Sequence, residues 1–157
     1  LQTDCEQVYG DDRGEISEVW LEAGEGKRIN VIPGGDHFSV KYRVRFFESV
    51  SAAVYSLMIK TKEGVAVYGA DTLDVGPVPT FRGDELIVSF DLECCLAPGV
   101  YYLNCGVRDE GEDSTKFVHR RIDTLIFRVT STDATTVKAG FVEMSASFVS
   151  ECVVRGS

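Results

Sequence analysis

The chain has 157 residues, 44% of them hydrophobic and 26% charged, with 16 basic against 25 acidic side chains and a net charge of −9. That is the size and composition of one soluble globular domain with a real core, and its acidity argues against a nucleic-acid partner. No apolar run approaches the roughly 20 residues of a membrane-spanning helix. The opening residues, LQTDCEQVYGDDRGE, lack the basic region and apolar run of a signal peptide. They also lack an initiating Met, which suggests an excised fragment or a processed chain.

In chain order, residues 1–14 are polar and read as a linker or N-terminal tail. Residues 16–21 (ISEVWL) read as a first strand, 24–30 as polar turns, and Pro33-Gly34-Gly35-Asp36 as a further turn. From Phe38 the alternation is clean: Phe38, Val40, Tyr42, Val44 and Phe46 against Ser39, Lys41, Arg43 and Arg45. That is a strand with one buried and one basic face. Residues 53–61 form a third strand, with Tyr55, Leu57 and Ile59 on one side and Ser56, Met58 and Lys60 on the other. Lys62-Glu63-Gly64 turns the chain into residues 65–68, and residues 69–80, with Pro77 and Pro79, read as loop.

Residues 83–107 (GDELIVSFDLECCLAPGVYYLNCGV) read as two adjacent antiparallel strands. Leu86, Val88, Phe90 and Leu92 share a face, and Pro98-Gly99 suits the centre of a type II turn. In the second strand Tyr101, Leu103, Cys105 and Val107 oppose Val100, Tyr102, Asn104 and Gly106. An acidic loop follows at 109–114, then one strand or a pair at 116–130, a polar spacer at 131–136, and a last extended apolar stretch at 140–154. With about eight strands, no long amphipathic helix and no 20-to-50-residue repeat, the expected fold is an all-β antiparallel sandwich or jelly roll. The β-sandwich body spans residues 15–130, and residues 131–157 hold the spacer and C-terminal strand.

Chemistry-bearing motifs are sparse. GxSxG, HExxH, GxxxxGK[ST] and strand-following GxGxxG are absent. The acidic pairs Asp11-Asp12, Asp84-Glu85, Asp109-Glu110 and Glu112-Asp113 fall in turns, where they serve solubility rather than acid/base catalysis. Cys5, Cys94, Cys95, Cys105 and Cys152 have no framework spacing, and adjacent Cys94 and Cys95 would strain a disulfide. Without a CxxC, and with His37 and His119 far apart, neither a metal site nor a cofactor is expected. Reduced thiols in a cytosolic protein are the simpler reading.

Ligand binding is better supported. Sugars are held by aromatic faces against ring C–H groups and by planar polar side chains against hydroxyls. Tyr102 and Asn104 share one strand face, Ser56 and Lys60 share the outward face of another, and His119, Arg120, Arg121 and Arg128 bring donors from the region after the acidic loop. The candidate carbohydrate-binding residues are therefore Tyr102, Asn104, Lys60, Ser56, His119, Arg121 and Arg128. Arg can grip a phosphate or carboxylate substituent through two parallel hydrogen bonds. The competing readings are a solvated sheet surface here, an ion-paired solvated face for Lys41, Arg43 and Arg45, a surface histidine for His119, and a core or subunit-interface role for Trp20.

The runs IPGGDHFSVKYRVRFFESV, YSLMIKTKEGVAVYGADT and FRGDELIVSFDLECCLAPGVYYLNCGVRD together carry a family resemblance. Their marks are the Gly-Asp turn before a strand, the G-x-x-V-x-G-x-x-T passage from Gly64 to Thr72, and the L-x-P-G-x-Y turn from Leu96 to Tyr101. Over residues 15–149 the chain resembles the C-terminal domain of Wzt, the nucleotide-binding subunit of ABC transporters that export O-antigen polysaccharide. The resemblance implies an immunoglobulin-like or jelly-roll sandwich that is not an enzyme. It implies recognition of the capped, non-reducing end of the glycan, which couples chain termination to export. It implies a homodimer with an exchanged last strand, and an N-terminal ATPase domain and a membrane-spanning transporter subunit as partners. The location it implies is cytoplasmic, peripheral to the inner membrane. A structural dimerisation sandwich without glycan binding is the alternative, and a carbohydrate-active enzyme a weaker third.

Overall fold

The computed structural model describes residues 4–111, 116–132, 140–144, 146–147 and 149–153. Among them are eleven strands: β1 (Gln7–Gly10), β2 (Gly14–Glu22), β3 (Arg28–Ile29), β4 (Val31–Pro33), β5 (His37–Phe46), β6 (Val50–Thr61), β7 (Ala66–Asp71), β8 (Val78–Thr80), β9 (Glu85–Glu93), β10 (Gly99–Asp109) and β11 (Lys116–Thr130). Seven form one sheet, along the path β1-β11-β10-β6-β7 with β4 beside β11 and β8 beside β6. The other four form a second sheet in the order β3-β2-β5-β9. Only the short β4–β11 pairing is parallel among the described strands.

The expected all-β antiparallel sandwich is the fold, and alternation is its cause. Phe38, Val40, Tyr42, Val44 and Phe46 all point inward and are at most 4% exposed. Their outward neighbours make the expected ion pairs: Lys41 with Glu22, Arg43 with Glu18 and Glu85, and Arg45 with Glu85. From the seven-stranded sheet, Leu57, Ile59, Tyr101, Leu103, Phe127 and Val129 close one half of the core, where the Tyr101 and Phe127 rings stack 5.7 Å apart. Tyr55, Cys105, Val107 and Val118 meet Ile16, Tyr42, Val44 and Phe46 in the other half. The cysteines are free, and burial pushes the Cys105 thiol up to about 12, which leaves it protonated and inert. Trp20 is buried beneath Arg28, whose Cζ lies 4.5 Å from the ring centroid, and its indole N–H donates to Glu22. It therefore presents no open stacking platform.

Three expectations need correction. The strands of residues 83–107 are not neighbours: β9 pairs with β5 in the small sheet, whereas β10 lies between β11 and β6 in the large one. Residues 94–98 cross from sheet to sheet and bury Cys94, Leu96 and Ala97, and the Tyr101 hydroxyl closes the crossing by donating to the Ala97 carbonyl at 2.6 Å. Gly99 does not adopt positive φ, so no type II turn forms there. An apolar period-2 face fits either sheet equally, and burying the link removes apolar surface that a tight hairpin turn would leave in water.

The second correction concerns residues 1–14. Residues 7–10 form β1, whose ladder runs from Gln7 opposite Ile122 to Gly10 opposite His119. Docking is close enough that a Cβ on Gly10 would sit 2.7 Å from the Val118 carbonyl oxygen. The Glu6 carboxylate adds an ion pair to Arg121. Third, the loop expected over 69–80 contains the end of β7 and all of β8. Like β3 and β4, β8 is too short to show a period. The expected last strand and its spacer lie partly outside the described residues. Within the described part the backbone makes one bridge, between Leu96 and Val142.

Candidate functional site

The outer face of the large sheet carries a depression of about 520 Å³, within the range of roughly 300–1,000 Å³ typical of small-molecule sites. Its floor is made of small residues. Gly106 of β10 lies opposite Ser56 of β6, and Ser56 opposite Asp71 of β7, while Gly69 lies opposite Met58. Ser56, Gly69 and Ala70 line the depression, and a Cβ on Gly106 would come within 3.2 Å of the Ser56 Oγ and 3.4 Å of Phe117, so glycine lets these two side chains pack closely over β10. Met58 and Phe117 supply apolar surface, and Asn104, Asp71, Asp74, Arg108 and Arg120 supply polar groups.

Two register shifts between β10 and β11 build this composition. The shift beside Val107 and Arg108 sets Phe117 opposite Arg108 and Arg120 opposite Gly106. The shift between Leu103 and Cys105 is stitched by Asn104, whose Oδ1 accepts from the Asp123 N–H at 2.9 Å, with Asp123 at φ 56°. Asn104 is only 5% exposed.

The charges are partly matched. Arg108 spans Asp71 at 3.0 Å and Glu110 at 2.6 Å. The Leu73 N–H and the Arg108 guanidinium hold the Asp71 carboxyl below the usual carboxylate range. Arg120 rests over the Phe117 ring, with Cζ 5.0 Å from the centroid.

Of the residues expected to bind sugar, Ser56 and Asn104 line the depression. Tyr102 and Lys60 are paired on the same face one step further along. The Lys60 Nζ is engaged with Asp123 at 2.6 Å. Arg128 shares the face but borders a separate recess with Asn30, Val31, Val100 and Ile126. His119 and Arg121 are not brought to the depression: both face β2 across the sandwich. The His119 Nδ1 accepts the Ile16 N–H at 2.9 Å, and an Arg121 N–H donates to the Ile16 carbonyl. Burial and the neighbouring Arg121 lower the His119 pKa, so its ring is neutral there. Gly69, Arg108, Phe117, Asp71 and Asp74 were missed by sequence reasoning. The extra residue at the second shift hides which parity of β11 faces outward, and no local pattern signals it.

Among the described residues no cluster of His, Cys, Asp and Glu could hold a metal ion, and no helix is long and apolar enough to cross a membrane. The crystal structure of the C-terminal domain of Wzt matches this chain with a TM-score of 0.84 and 22% identity, covering 96% of this chain and 91% of that one. A Niemann-Pick type C2 protein from the Japanese carpenter ant matches with a TM-score of 0.47 and 13% identity, over 84% of this chain and 99% of its own. No curated protein matches the chain. The family described as Wzt C-terminal domain matches residues 6–144, and the chain belongs to that family.

Proposed function

We propose that this domain is a non-catalytic carbohydrate-binding module whose outer-face depression receives the capped, non-reducing end of an O-antigen polysaccharide, so coupling chain termination to ABC-transporter export. Family membership supports a carbohydrate-binding role in O-antigen export in general. The observation that carries the site is the depression lined by small residues together with one aromatic side chain, an amide and two guanidiniums. In this reading the domain works on the cytoplasmic side of the inner membrane, held there by an ATPase domain and a membrane-spanning transporter subunit.

The test is titration of the domain with capped and uncapped forms of its cognate O-polysaccharide. Capped chains are expected to bind at least tenfold more tightly than uncapped ones. Equal affinity for the two forms sinks the export-signal reading. Absence of any binding leaves the structural dimerisation sandwich.

The dimer of this proposal exchanges its C-terminal segment. An apolar pocket of about 360 Å³ lies where β7 and β9 leave the sandwich open, lined by Phe38, Ile59, Val67, Leu92, Leu96 and Val142. Among the described strands β9 pairs on one side only, and Phe141, Met144, Val149 and Val153 are exposed. Such an edge and such a segment suit each other across two copies. Sedimentation is expected to give a dimer for the full chain and a monomer for a chain ending at Ser131. A stable dimer of the shortened chain counts against exchange.

A further inference from the structure

The two guanidiniums of the depression are not equivalent. Arg108 is held by the carboxylates of Asp71 and Glu110. Arg120 has no carboxylate partner among the described residues. Its contact is with the Phe117 ring, and its place in the ladder is between Gly106 of β10 and Tyr9 of β1. Stacking occupies a face of the guanidinium and leaves its in-plane N–H fork free, which is the edge that meets phosphate or carboxylate oxygens in pairs. Asp74 stands on the opposite side of the depression, after β7, also without a basic partner among the described residues.

Resting on the glycan reading above, we infer that the depression selects a saccharide end bearing an anionic substituent, a phosphate ester or a carboxylate, with Arg120 as the residue that reads the charge. A neutral sugar covering Arg120 would strip water from a half-buried cation and return no counter-charge. An anion there returns it. The same anion placed by Asp74 and Asp71 would be repelled, so the two walls orient the ligand, with its charge toward β11 and its hydroxyls toward β7. Carboxylates are strong acceptors for hydroxyl donors. Phe117 thereby presents its ring to the guanidinium and its edge to the floor above Gly106.

The test uses the full chain and end fragments of O-polysaccharide purified from the source organism. They are compared before and after their charge is removed, by phosphatase for phosphate monoesters, hydrofluoric acid for diesters, and carbodiimide–borohydride reduction for carboxylates. Native fragments are expected to bind at least tenfold more tightly than neutralised ones and to weaken as salt rises. Arg120→Gln is expected to bind both forms with the weaker affinity, with its melting temperature within a few degrees of the parent, while Arg120→Lys keeps part of the preference. Native fragments that bind yet carry no anion, equal binding of both forms, or a preference that survives Arg120→Gln each overturn the charge inference and leave the glycan reading standing. Failure of every fragment to bind overturns both.

Discussion

Tyr42→Ala is expected to destabilise the domain by about 3–5 kcal/mol, the range for removing a large aromatic from a packed core. Tyr42 is fully buried in the small sheet and stacks on Phe90 with ring centroids 6.4 Å apart. Its hydroxyl reaches across the sandwich and donates to the carbonyls of Ser56 and Gly106, each at 3.1 Å. Those residues are paired across β6 and β10, and Ser56 lines the depression, so one phenol ties the core of one sheet to the ligand face of the other. Tyr42→Phe isolates that tie and is expected to cost about 1–2 kcal/mol by leaving buried acceptors short of a donor. Urea denaturation checks both, as a lower midpoint with an unchanged slope. A Tyr42→Phe chain as stable as the parent would show that the hydroxyl is idle.

Asp109→Ala is expected to have a comparable effect, about 3–5 kcal/mol, because it breaks a buried ion pair from one side. The Asp109 side chain is 5% exposed and pairs with Arg13 at 2.6 Å. Its other oxygen accepts from Gly111 N–H at 3.0 Å and Ala52 N–H at 3.3 Å. The residue thus ties the end of β10 to the bend that leads into β2 and to the start of β6. Burial alone would raise its pKa, but the Arg13 hydrogen bond, the Gly111 N–H, the Arg13 charge and the Ala52 N–H together hold it below the ordinary carboxylate value. The sign follows from linkage. A carboxyl with a depressed folded pKa contributes stability that is complete above its unfolded pKa of about 3.9 and is lost as pH falls through the lower folded value. Thermal melts from pH 6 downward are expected to show wild type losing stability below about pH 4. Asp109→Asn starts lower and is flatter over that window. Parallel curves for the two would remove Asp109 as the titrating group.

These two residues also mark what could be read from the chain and what could not. Tyr42 was legible as a core residue because five apolar side chains alternate without a break from Phe38 to Phe46. Its two acceptors were not, since they lie 14 and 64 residues away. Asp109 looked like one more solvated turn acid, and only the approach of Arg13 from 96 residues earlier makes it buried and paired. The candidate site divides the same way. Ser56 and Asn104 were legible from strand faces alone. His119 and Arg121 lie off the depression because β11 carries two register shifts, and each extra residue reverses which side chains look outward.

The sequence by itself determined the all-β class, the inward faces of β5, β6, β9 and β10, the ion-paired outer face of the small sheet and the family. These depend on near-neighbour patterns, and a two-residue period survives whatever the strands pair with. Only the tertiary structure decided that β9 and β10 belong to different sheets, that residues 7–10 dock as an edge strand, and that Gly69, Phe117, Arg108, Arg120 and Asp71 meet around one depression. Those outcomes depend on register and crossing between strands distant in the chain. Burial of the whole core selects them, and no local segment encodes them.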